Sequence, residues 1–174
     1  MHERVTALYF LVAMFLPMLV HSEDEQVCSD FEVYHQLDFW VGEWEVVDRQ
    51  GALQGHNRIE KILNGCVVFE NWTSANGSEG KSWFYLDPVS QSWKQVWVTE
   101  QGNQPGGTKE KLLIEFFAGG AVRFQGKVLY GEVLMYDRTT LTPMENGYVE
   151  QHIQVSKDGD TWEDGWIGIY RPVK

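Results

Sequence analysis

A chain of 174 residues with 14 Lys and Arg against 25 Asp and Glu carries a formal charge of −11. Its length suits one domain. Its acidity excludes a polyanion binder, because neutralising phosphates takes clustered Lys and Arg; nucleic acid and anionic membrane are not expected partners. The surplus acid reads as a solubility device.

Residues 1–22 read as a secretory signal, predicting a secreted or periplasmic protein. Arg4 gives a weakly positive start, blunted by Glu3, and Ala7 to Val20 is apolar throughout. That run falls short of the roughly 20 residues a spanning helix needs. Val20-His21-Ser22 then offers tolerable residues for cleavage. An uncleaved anchor is the alternative; stable membrane insertion is not expected after cleavage. The two cysteines, Cys28 and Cys66, invite one disulfide in an oxidising compartment. It would stabilise the fold by roughly 3–4 kcal/mol on loop-entropy grounds. The alternative is a core Cys66 and a free Cys28. No C-x-x-C motif supports a redox or zinc site, and no metal site is expected.

Residues 23–34 form an N-terminal segment ahead of a single domain over 35–174. Ser29 with Glu32 makes a capping-box pattern, predicting a short helix from about Asp30 to Leu37 that closes one end of the domain. Strands are then expected at 41–49, 55–63, 66–74, 81–87, 93–100, 109–117, 120–128, 131–141, 147–156 and 161–171. These segments alternate and are rich in β-branched and aromatic residues. Asn64-Gly65, Asp87-Pro88, Gly119-Gly120, Asn146-Gly147 and Asp158-Gly159 punctuate them. The expected fold is all-β: a closed up-and-down antiparallel barrel of about ten strands, with an open sandwich as alternative. Only Gln50–Gln54 separate the first two strands, too few for the helical lid of fatty-acid-binding proteins. Gln101–Thr108 is a candidate flap over a cavity mouth, or a plain hairpin loop.

Gly42-Glu43-Trp44 resembles the Gly-x-Trp signature that opens the first strand of lipocalin and calycin barrels. The resemblance implies that Trp44 plugs the floor and that Arg171, in the last strand, lies across its ring, a contact of about 0.5–2 kcal/mol. A wider set is similar to an uncharacterised, mostly bacterial, commonly exported domain family placed with the calycin-like barrels. The segments are HQLDFWVGEWEV from His35, NRIEKILNGCVVFENWT from Asn57, GSEGKSWFYLDPVSQSWKQVWV from Gly77, TLTP from Thr140, and SKDGDTW from Ser156 leading to GIYRP. The family usually shows Asn then Tyr where this chain has Phe84 and Leu86. It implies a fold and carries no established activity.

Two-residue periodicity groups side chains by face. Glu70 shares a face with Trp72, and Trp93 with Gln95 and Trp97. These sets are expected inside, because indoles massed on an outer surface would be adhesive. Leu134, Tyr136, Arg138 and Thr140 form another set, as do Tyr148, Glu150, His152 and Gln154; either could face in or out. Apolar walls with a few directional polar groups are how a small-molecule site is lined. The leading expectation is therefore an exported barrel holding a small, largely apolar or amphipathic molecule, without a cofactor, through Arg58, Glu70, Trp72, Gln95, Trp97 and Arg138. An enzyme is the alternative, with Glu70 as acid or base and Arg58 or Arg138 as anion contact. A haem barrel is a further one, since the chain also resembles nitrobindin-like barrels, which bind haem through a His near the C-terminal end; here that implies His152. No Gly-x-Ser-x-Gly elbow supports a serine nucleophile. Asn71-Trp72-Thr73 and Asn76-Gly77-Ser78 match the N-glycosylation pattern, which has meaning only in a eukaryote.

Overall fold

The computed structural model describes residues 26–173, so the expected signal over 1–22 lies outside the described residues. Ten strands follow one another: β1 (Gly42–Val47), β2 (Leu53–Ile62), β3 (Val67–Ser74), β4 (Glu79–Asp87), β5 (Ser92–Thr99), β6 (Thr108–Phe116), β7 (Val122–Tyr130), β8 (Val133–Pro143), β9 (Val149–Ser156) and β10 (Glu163–Pro172). Each pairs antiparallel with its successor, and β10 pairs with β1, so the sheet closes into a barrel without a free edge. This closed ten-strand barrel is consistent with the calycin-like expectation. The boundaries follow the chemistry: β-branched and aromatic residues carry the strands, and left-handed turn residues end them. The tightest case is the β2–β3 turn, where Leu63, Asn64 and Gly65 all have positive φ.

Gly65 has a second reason to lack a side chain. The N-terminal segment docks there, with Ser29 N–H donating to the Asn64 carbonyl at 3.1 Å and Cys28 disulfide-bonded to Cys66. The helix expected over 30–37 is absent. Three 3-10 turns replace it, at Cys28–Asp30, Glu32–His35 and Asp38–Trp40. Phe31 is extended between the first two, and the segment is already tied down at Cys28 and Ser29. An eight-residue α-helix has too few internal bonds to compete with such tethers. The segment still closes one barrel end, where Leu37 and Trp40 are fully buried.

Around that plug the aromatic rings meet edge to face. Trp40 lies 5.3 Å from Phe84 and 5.9 Å from Tyr170, and Trp44 lies 6.1 Å from Tyr170. The Trp44 indole N–H donates to the Trp40 carbonyl at 2.9 Å. Arg171 does not lie across Trp44. The β1–β10 register sets Trp44 opposite Pro172 and Arg171 opposite Glu45, which places the guanidinium on the other face of the sheet. Tyr170 occupies the position beside the indole instead. Among the described residues, arginine–aromatic stacking occurs at Arg138 over Trp162 and Arg123 over Phe117.

Candidate functional site

Each inward face changes character along its strand, from the plug towards the opposite end. On β3 the order is Val68, Glu70, Trp72; on β4 it is Phe84, Ser82, Gly80; on β5 it is Trp93, Gln95, Trp97. Strands β9 and β10 repeat it with Val149, Gln151, Ile153 and with Tyr170, Gly168, Trp166. An apolar floor thus gives way to a polar belt and then to an indole rim. Between belt and rim lies a cavity of about 190 Å³, lined by Glu70, Trp72, Gln95, Trp97, Lys109, Lys111, Thr139, Gln151, Ile153, Trp166 and Tyr170. Such a volume exceeds the roughly 150 Å³ that admits benzene and is far too small for a long acyl chain.

Glycines set the indoles in place. A Cβ at Gly80 would strike the Trp97 ring, one at Gly168 the Trp166 ring, and one at Gly55 would come within 2.7 Å of Trp72. Each rim indole therefore packs against a backbone stretch without a side chain, a known device for covering sheet glycines. Trp72 and Trp166 also meet edge to face at 6.0 Å.

Two hydrogen-bonded groups make up the belt. In the first, the Asn57 amide donates to Glu70 Oε1 at 2.7 Å and to the Tyr170 hydroxyl at 3.2 Å, and Tyr170 donates to Gln151 Oε1. Gln95 Nε2 donates to Ser82 Oγ at 3.2 Å. Burial pushes the Glu70 carboxyl above its ordinary range, against the neighbouring Ser82 hydroxyl, the Asn57 hydrogen bond and the Lys111 charge. In the second group one carboxylate holds two ammonium ions. Asp137 pairs with Lys111 through Oδ1 and with Lys109 through Oδ2 at 2.8 Å, and accepts the Tyr130 hydroxyl at 2.7 Å. Lys111 also donates to Thr139 Oγ1. Burial disfavours the Asp137 charge, but the two lysines outweigh it and hold its pKa low. Burial brings Lys111 down to about 8, with Lys109 repelling it and Asp137 opposing the fall.

Of the residues singled out from sequence, Glu70, Trp72, Gln95 and Trp97 meet on the cavity wall. Arg58 and Arg138 do not join them. Arg58 is exposed and pairs with Glu60, while Arg138 stacks on Trp162 at 3.9 Å and donates to Gln154. Parity explains both: each follows an inward residue, Asn57 or Asp137, and so points out. The same rule turns the Tyr136 and His152 sets outward. His152 meets Asp164 at 2.7 Å on the outer face, so an interior haem would lack the axial ligand proposed for it. Among the described residues, the basic groups on the cavity wall are Lys109 and Lys111, which sequence reasoning missed along with Asn57, Asp137, Thr139, Gln151 and Tyr170. The available signal was the Lys-x-Lys alternation of β6.

Gln101–Thr108 forms a loop bonded to itself, with Gln104 N–H on the Gln101 carbonyl and Gly107 N–H on the Gln104 carbonyl, both at 2.9 Å. Gln101 reaches a shallow recess beside Trp72 and Trp97 at the rim. Neither a family model nor a curated protein sequence matches the chain.

Proposed function

We propose that the protein is an exported barrel that binds a small molecule in its interior. The observation that carries this is a cavity of about 190 Å³ with indole walls and a buried polar floor, inside a barrel plugged at one end. The size calls for a compact ligand, of one or two rings or a short branched chain. Export is supported by the apolar N-terminal run and by the Cys28–Cys66 bridge, a bond that persists in oxidising compartments. The calycin-family resemblance agrees with both. Charged residues on the outer face, such as Glu43, Arg58 and Glu110, support a barrel that stays in water, since a membrane barrel needs an apolar outer band.

Native mass spectrometry of protein purified from its own source tests the reading, followed by fragment titration monitored through tryptophan emission. A mass lost on denaturation, or saturable quenching by a compact aromatic, is the expected result. Quenching that survives Ile153→Trp, which fills the cavity, would reject interior binding. A second reading treats Glu70 as a general acid or base beside Lys111, because the two are displaced in opposite directions within one cavity. On that reading Glu70→Gln abolishes turnover of an identified substrate; unchanged turnover would sink it.

A further inference from the structure

We infer that the cavity is built for a small, non-anionic amine: an N–H donor on an aromatic or apolar body, with Glu70 and Gln95 as its acceptors. This rests on the interior-binding reading above and specifies the ligand class.

Buried acceptors without a partner carry it. Glu70 and Gln95 are only 3% and 5% exposed, yet Glu70 Oε2 and Gln95 Oε1 have no protein partner. Both residues line the cavity, and Asn57, whose Oδ1 is also unpartnered, donates to Glu70. With Glu70 ionised, all three atoms are acceptors. Leaving such atoms buried and unmet is costly, so a ligand that donates to them recovers more than contact area. The Asn57 orientation is set by its bond to the Glu70 carboxylate. Asn57 turns its nitrogen to a carboxylate and a hydroxyl, which leaves its oxygen over, and Gln95 turns its nitrogen to the Ser82 hydroxyl with its oxygen unpartnered.

The cavity's two cations share one carboxylate. Lys109 bonds Asp137 and Tyr130, and Lys111 bonds Asp137 and Thr139. Each ammonium has three N–H donors and two partners here, so one N–H remains on each; an anion taking it would face the Glu70 carboxyl across the same cavity. Among the described residues, the buried donors without a partner are Trp40 Nε1 in the plug and Arg171 Nε, and neither lines the cavity. Trp72, Trp97 and Trp166 supply faces that favour an apolar body and tolerate a cationic head.

The test is a titration of the disulfide-bonded protein with four probes of similar size: aniline, benzylamine, toluene and benzoate. Aniline and benzylamine distinguish a neutral amine from an ammonium. At least one of them should bind ten-fold or more tightly than toluene and benzoate. Glu70→Leu and Gln95→Leu, each checked for an intact melting transition, should collapse the amine-to-toluene affinity ratio towards one. Toluene or benzoate binding as tightly as both amines would overturn the ligand class and leave interior binding standing. Failure of all four to bind would overturn both. An amine preference that survives both substitutions would overturn the assignment of Glu70 and Gln95.

Discussion

At the scale of single residues, the Lys109–Asp137–Lys111 cluster has the highest stakes. Asp137 is fully buried, and both ammonium groups depend on it. Removing one partner of a buried ion pair leaves an uncompensated charge, at about 3–5 kcal/mol. Asp137→Asn should therefore lower the unfolding free energy by about that amount in urea titrations; a loss below about 1 kcal/mol would contradict the pairing. Lys111 gives a pH signature. Its pKa falls from 10.5 to about 8 on folding. Between those values the unfolded chain holds the proton and the folded one does not, so stability rises with pH across that window. The rise is on the order of 3 kcal/mol at most, at about 1.4 kcal/mol per unit. Lys109, Tyr130 and Tyr170 face the same interior and titrate in the alkaline range, so the comparison is with Lys111→Met. Wild type should gain stability relative to that variant from about pH 8 to 10.5; parallel curves would show that Lys111 is not the source.

At the scale of elements, the N-terminal segment and the strands were not equally legible. Strand positions followed from alternation and turn glycines, and the observed ends lie close to those expected. The segment before Trp44 carried a helix signal that the tertiary structure overrode: a bridge at Cys28, a backbone bond at Ser29 and the burial of Leu37 and Trp40 hold it as 3-10 turns. That tether closes a sequence separation of 38 residues. Cys28→Ser should destabilise the protein by roughly 3–4 kcal/mol, seen as a lower melting temperature that reductant no longer shifts. An equal response of wild type and variant to reductant would contradict a structural role for the bridge. Strand β6 was the least legible. It turns Lys109 and Lys111 inward and leaves Leu112, Ile114 and Phe116 exposed, the reverse of the usual pattern. A face assignment from hydrophobicity fails there because the interior it meets is itself polar, with Asp137 as the counter-charge on a strand two places away.

At the scale of the whole molecule, closure decides stability. β1 and β10 are the sequence-distant pair that turns a ten-strand meander into a ring, and β10 also brings Tyr170 to the plug and Trp166 to the rim. Deleting residues 163–174 should leave no cooperative thermal transition by circular dichroism; a truncated chain that still melts sharply would show that the open sheet suffices. What the sequence determined by itself was the all-β fold, the strand count, and the inward placement of Glu70, Trp72, Gln95 and Trp97. Those follow from period-two alternation and turn chemistry, which act over a few residues. Only the tertiary structure decided which basic groups share the interior with Glu70, that Arg58, Arg138, His152 and Arg171 lie outside it, and how large the cavity is. Those depend on register between strands and on which buried charge finds a partner, and a shift of one residue reverses every such answer.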